Sequence, residues 1–346
     1  MQSDPEAEAF LYLCRHHGPR SLPVDYDALT AQITAQLNRR PELIHSRTGG
    51  AFAAGRTALM HAAQDTLPGI IPLLVSAGAD VNAADDSGWS ALMLAAANHG
   101  NLGVVEVEVV DQLLRHGAGA EHHDRGGRTA LHLAAVGGLN RPVKAEMCRR
   151  LLAHGADPNA RAKDGQTPLH LASHKETALV LLEAGADPNA MDNRGQTPLT
   201  VQAMDGAASA VRVLLAHGAQ VNVRDPEGKT PLHLMVQDDS ALASGINRLL
   251  KAGADHGARD RDGRTPLHIA AGAHCLPGVF ALNKAGADIN ARDAAGMTPL
   301  GLVEAGIFTG INDYYGPPPY GEGDPKLFAK GQAKIARVLR SLGGVV

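Results

Sequence analysis

The sequence predicts an all-α fold, a solenoid of about eight repeated pairs of antiparallel helices joined by hairpin-like turns. Three observations point there. The phrase Thr-Pro-Leu-His stands complete at Thr167, Thr230 and Thr265, and looser copies begin at Thr57, Ser90, Thr129, Thr197 and Thr298, at steps of 33, 39, 38, 30, 33, 35 and 33 residues. A partner phrase, Gly-Ala-Asp, falls between them at Gly78, Gly155, Gly185, Gly253 and Gly286, with Gly117-Ala118 and Gly218-Ala219 in the remaining slots. Alanine and glycine are abundant while aromatics make up 3% of the chain, which suits thin helices stacked in close layers.

This period and wording resemble the ankyrin repeat. The resemblance implies an ankyrin-repeat solenoid over residues 51–305; residues 1–50 lack the repeat wording and read as a divergent helical cap or else as a separate flexible arm, and residues 306–346 read as an insertion loop with a capping helix. A single core in a chain of 346 residues would usually divide into domains, but a repeat array escapes that limit because each unit packs only on its neighbours.

Taken in order, residues 5–17 read as a short helix carrying Ala7, Phe10, Leu11 and Leu13 and stopped by Gly18-Pro19. Residues 25–37 read as a second helix, with Leu29, Ile33 and Leu37 forming one apolar stripe. In each repeat Thr or Ser caps the inner helix by accepting a backbone N–H bond, and proline follows where a missing N–H costs nothing. Leu points inward, and the His can tie one turn to the next. Outer helices carry leucine pairs such as Leu113-Leu114 and Leu181-Leu182, and glycines such as Gly78 permit a left-handed C-terminal cap. An Asp-x-x-Gly segment then makes a long turn, with Gly88, Gly165, Gly195, Gly228, Gly263 and Gly296 at its tip.

Departures from the period locate individuality. The second repeat has extra residues around 98–107 and the third around 137–145, between the helices or at the start of the outer one. The fourth is short near Ser173-His174-Lys175, so its inter-helix turn is tight. Loop variation of this kind tunes specificity or is neutral length drift; the sequence leaves both open. After Ala305, residues 307–325 hold Tyr314, Tyr315 and Pro317-Pro318-Pro319-Tyr320, followed by a helix over residues 326–342 that replaces the missing outer helix. The proline-tyrosine stretch resembles a Pro-Pro-x-Tyr ligand of WW domains, but four residues are a weak signal and it reads first as a rigid proline turn.

Several function classes find little support. A formal net charge of -4 gives no general attraction to nucleic acid or to an anionic membrane, and no stretch is apolar enough to span a bilayer. The start lacks a basic segment followed by an apolar run, so a cytoplasmic protein is expected, with export by an uncleaved signal left open. Three cysteines (14, 148 and 275), far apart, do not read as a disulfide framework or a metal site, and Cys148 and Cys275 are expected as helix fillers. Neither His16-His17 nor His122-His123 is followed by further ligands at metal spacing, and the recurring His132, His170, His233 and His268 serve the fold. There is no phosphate loop and no nucleophile elbow, so no cofactor, metal or catalytic residue is expected.

Binding is better supported. The resemblance implies a concave surface of turn tips and inner-helix ends that holds another protein. On this chain the tips carry Trp89, Arg125, Arg128, Lys163, Gln166, Arg194, Lys229 and Arg264, and the inner-helix ends add Asn98, His99, His174, Lys175, Met204, Asp205 and Asp238. Trp89, the sole tryptophan, takes a slot that other repeats fill with Arg, Gln, Lys or Met, and so reads as an exposed contact residue or as a ring lying near Arg128. Tyr314, Tyr315 and Tyr320 are candidate anchors in the terminal loop. The expected function is a non-catalytic protein-binding scaffold, monomeric alone. A homo-oligomeric adaptor and an enzyme built on the C-terminal insertion are the alternatives.

Overall fold

The structure, a computed structural model, describes residues 4–15, 25–49, 54–97, 104–137, 141–237, 243–307 and 325–346. These residues form eighteen α-helices and no strand beyond two isolated bridges, Ala84 with Ser90 and His123 with Thr129. Two compact units result: residues 1–172 with 179–186, and residues 173–178 with 187–346.

In the first unit α1 (Pro5–Leu13) and α2 (Tyr26–Arg39) precede a short 3-10 turn, Pro41–His45. The inner helices α3 (Ala58–Gln64), α5 (Ala91–Ala97), α7 (Ala130–Ala135) and α9 (Pro168–Leu171) stack in sequence. The outer helices α4 (Ile71–Ser76), α6 (Val104–Arg115) and α8 (Arg141–Ala153) stack behind them, and α10 (Lys175–Glu183) has residues in both units. The second unit repeats the scheme. Its inner helices are α11 (Pro198–Met204), α13 (Pro231–Met235), α15 (Pro266–Gly272) and α17 (Pro299–Glu304). Its outer helices are α12 (Ala208–Ala216), α14 (Ala243–Lys251), α16 (Leu276–Lys284) and α18 (Pro325–Ser341). Leu59, Leu92, Leu131 and Leu169 in one unit, and Leu199, Leu232, Leu267 and Leu300 in the other, are all buried, so the third residue of every phrase is core.

The expected N-terminal helices are present with shifted ends. Asp25 caps α2 by accepting from Ala28 N–H, and Leu29, Ile33 and Leu37 are buried as one stripe. The first helix stops at Leu13 rather than at residue 17, and Gly18-Pro19 lie outside the described residues. Phe10 is fully buried where α1 packs on α3.

Helix starts are bonded in both directions, where the sequence implied one. Thr57, Ser90, Thr197 and Thr298 accept from the third helical N–H at 3.4, 3.3, 3.4 and 3.1 Å, as expected of N-caps. In the phrases that begin at Thr129, Thr167, Thr230 and Thr265 the fourth residue is His, and its ring accepts in return from the cap's own N–H, as Thr200 Oγ1 does from Thr197 N–H at 2.7 Å. The backbone N–H groups of Thr129, Thr167, Thr230 and Thr265 donate to Nδ1 of His132, His170, His233 and His268 at 3.1, 3.0, 3.1 and 3.1 Å. On the other side of the ring, Nε2 reaches the carbonyl of a following turn: His132 to Gln166, His233 to Arg264 and His268 to Met297, at 3.1, 3.1 and 3.0 Å. A carbonyl only accepts, so Nε2 carries a proton, and a backbone N–H only donates, so Nδ1 is bare. These rings are therefore neutral. Burial pushes His132 and His268 below the ordinary value and His233 down to about 4.

The extra residues of the second and third repeats lengthen the outer helices: α6 has 12 residues and α8 has 13, against 9 in each of α12, α14 and α16. The fourth repeat saves length by reducing α9 to a single turn of 4 residues. At the chain's end, α18 packs on α17 and finishes as the other outer helices do. Gly344 N–H returns to the Leu339 carbonyl at 2.9 Å, matching Ala254 to Leu249 and Ala287 to Leu282 at 2.9 and 3.0 Å. Ile335 and Leu339 are among its buried residues.

The three cysteines are free and buried, and burial pushes the Cys14 and Cys148 thiols up to about 12, which makes them poor nucleophiles. Cys148 lies in α8 as expected, whereas Cys275 stands just before α16 rather than inside a helix. No described helix is long and apolar enough to cross a membrane.

Candidate binding surface

Six of the turn tips are each built around one aspartate, and in the tip that carries Lys163 that place is taken by Ala162, with Gln166 N–H donating to Asp164 Oδ1 at 3.1 Å instead. Asp85 Oδ1 accepts from Ser87 and Trp89 N–H at 2.8 and 2.9 Å, and Asp260 Oδ1 from Asp262 and Arg264 N–H at 3.0 and 2.8 Å. Asp124, Asp192, Asp225 and Asp293 accept likewise from the N–H four residues on. This Asx geometry shapes the turn from within, so the turn does not depend on which side chains stand at its tip. Adjacent tips are then joined by single backbone bonds. In the first unit these run from Asp86 to Ala54, Arg125 to Ser87 and Lys163 to Gly126, at 3.1, 3.2 and 2.8 Å; in the second, from Arg261 to Glu227 and Ala294 to Asp262, at 2.9 and 2.8 Å. A Cβ at Gly127 would lie 2.9 Å from Lys163 N and one at Gly263 2.8 Å from Ala294 N, so these glycines are required by the neighbour's closeness as well as by their positive φ.

Trp89 is half-buried rather than exposed. The Arg128 guanidinium lies over its ring at 5.7 Å from the centroid. Arg128 is itself held by Asp124, whose Oδ2 accepts from Nε and Nη2 at 2.9 and 2.7 Å. Burial pushes the Asp124 carboxyl up, but the Arg128 guanidinium and two backbone N–H groups outweigh it and hold the group below the usual carboxylate value. The tryptophan thus has a structural job, closing the gap between two tips.

Beside this stack lies an open cleft of about 490 Å³, walled by Gly88, His123, Asp124, Arg125, Gly127, Arg161, Ala162 and Lys163. It draws together Arg125 and Lys163, two of the expected tip residues, and adds Arg161 and His123. Arg161 carried no distinguishing signal in the sequence, because Arg224, Arg259 and Arg292 occupy the same place before their tips.

The other expected residues are distributed along the tips and inner-helix ends of their own units. Arg125, Arg128, Lys163, Lys175, Arg194 and Asp205 are exposed, while Gln166, His174, Met204, Lys229 and Arg264 are half-buried or more. Arg264 pairs with Asp262 at 3.1 Å. Asn98, His99, Asp238, Tyr314, Tyr315 and Tyr320 lie outside the described residues, as does Pro317-Pro318-Pro319. Among the described residues no three His, Cys, Asp or Glu side chains converge as a metal-binding group.

Comparison with protein families gives a consistent result. A three-copy model of ankyrin repeats matches residues 33–107, 103–192 and 178–255, and a many-copy model matches residues 249–302. Comparison with curated proteins found no match.

Proposed function

The chain belongs to the ankyrin-repeat family, and from that premise we propose that it is a non-catalytic scaffold holding a protein partner on its turn tips and inner-helix ends. Ankyrin repeats are generally protein–protein interaction modules, and proteins built from them are typically non-catalytic. The observation that carries the reading to the tips is the separation of duties there. One aspartate and the backbone make the turn, with Arg125 and Arg194 exposed on these rigid frames. Rigid, pre-set side chains lose little freedom when a partner arrives. In this reading residues 1–50 and 306–346 act as terminal caps of the 51–305 array, and the protein is monomeric without its partner.

The test is capture by the full-length chain, immobilised, from a lysate of its source, with the wild type and W89A compared. Removing the ring uncovers the Arg128 guanidinium, which Asp124 still holds, and opens the gap between two tips, so the expected result is a specific protein retained by the wild type and weakly by W89A, with circular dichroism unchanged. Equal retention by a folded W89A removes Trp89 from the surface. Loss of retention on deleting residues 309–323, with W89A still active, moves the surface to the terminal loop.

A further inference from the structure

The cleft at the tips holds more positive charge than the fold uses. Arg125, Arg161 and Lys163 line it from two successive tips, and the acid in its wall is Asp124. That carboxylate does not offset them. Its Oδ1 is taken by the N–H groups of Gly126 and Arg128, and its Oδ2 by the Arg128 guanidinium. Arg161 also departs from its counterparts. Arg224, Arg259 and Arg292 each close their own turn by donating Nη1 to the glycine carbonyl four residues on, at 3.2, 2.7 and 2.6 Å. Arg161 makes no such bond, and among the described residues neither its guanidinium nor that of Arg125 has a hydrogen-bond or ion-pair partner. Two exposed guanidiniums face one open cleft beside the Lys163 ammonium, on backbones tied together by the Lys163-to-Gly126 bond.

We propose that this cleft binds an acidic segment of the protein partner, with Arg125 and Arg161 each taking a carboxylate. The inference rests on the scaffold reading above and names the chemistry of what is held. A guanidinium receives a carboxylate through two parallel N–H bonds, a geometry that fixes orientation as well as charge. The cleft is open to water, so the attraction is salt-sensitive.

The probe is a short Glu-Gly repeat peptide added to the full-length chain, with a Gln-Gly peptide and a single-stranded RNA oligonucleotide as comparisons. Trp89, the sole tryptophan, adjoins Gly88 of the cleft wall and reports occupancy by its fluorescence. Saturable binding of the acidic peptide is expected, with none of the Gln-Gly peptide. The double variant Arg125→Ser with Arg161→Ser should bind about tenfold more weakly, as loss of charge-assisted pairs implies. Arg212→Ser with Lys251→Ser, which removes equal charge from exposed sites on α12 and α14, should bind as the wild type does. No binding of the acidic peptide, equal weakening in both double variants, or tighter binding of the RNA overturns the proposal. A wild type that captures no protein contradicts the scaffold reading, whatever the peptide does. Undiminished protein capture by the cleft variant, with no peptide binding by the wild type, contradicts the acidic-segment inference alone.

Discussion

His233 makes a local bond that starts one helix and a longer one that reaches the next turn, and the local one needs Nδ1 bare and so the ring neutral. Its folded value of about 4 lies below the usual value of 6.5. Its contribution is therefore whole above pH 6.5 and is lost as pH falls from there through the folded value. Over that window the loss is on the order of 3 kcal/mol for this residue. In the fifth repeat Thr200 does the local half of the work, its Oγ1 accepting from Thr197 N–H at 2.7 Å. The variant H233T is thus expected to be less stable than the wild type at pH 7 but to lose less on going to pH 5, by urea unfolding. Parallel losses would show that His233 does not titrate as described. A second comparison concerns glycine. Gly253 has φ +88 and open space where a Cβ would stand, whereas Gly127 has φ +76 and the Lys163 nitrogen 2.9 Å from that position. G253A should cost the left-handed penalty alone, about 1–2 kcal/mol, and G127A distinctly more, in the same assay. The phrase Thr-Pro-Leu-His made the helix starts legible, because capping chemistry follows residue type. It did not reveal that the fourth side chain accepts in return from the cap's own N–H, because side-chain direction is fixed only once the following turn arrives.

At the scale of elements, the first turn of the lengthened α8 meets the end of α5. Lys144 of α8 is buried there, and its Nζ donates to the Ala96 carbonyl at the end of α5 at 2.7 Å. Burial pushes its pKa down. K144A leaves that carbonyl without its donor and is expected to cost about 1–3 kcal/mol in urea unfolding. An unchanged midpoint would mean that α8 is held by its apolar contacts alone. The last helix, α18, is fastened by Asn290, whose Nδ2 donates to Gly343 O at 3.2 Å and whose Oδ1 accepts from Val345 N–H at 2.8 Å. Asn222 joins Gly253 and Asp255 in the same way, so N290A should release the end of α18 as loss of one repeat contact would. Faster amide exchange over residues 338–346, with α15 unaffected, is the expected reading; unchanged exchange contradicts the attachment. The periodic residue types made these pairings readable in outline. Lys144 was not readable as a buried residue, since only the packing of α8 against its neighbours removes it from water.

At the scale of the whole molecule, composition and period identified the class and said little about the partner. The net charge of -4 hides a local cationic cleft, because Asp124 is engaged by Arg128 while Arg125 and Arg161 remain available. Trp89 was the residue most easily singled out by type, yet its ring supports Arg128, and Arg161 gained significance only when its missing turn bond was seen beside Arg224, Arg259 and Arg292. The account's central claim is that a protein is held on the tips rather than on the outer helices. Hydrogen exchange on the full-length chain, alone and with its captured partner, tests this most directly. Slowed exchange is predicted in the tip segments 85–89, 124–128 and 161–166, with α6 and α8 unchanged. Protection confined to the outer helices, or to residues 308–324, would contradict it.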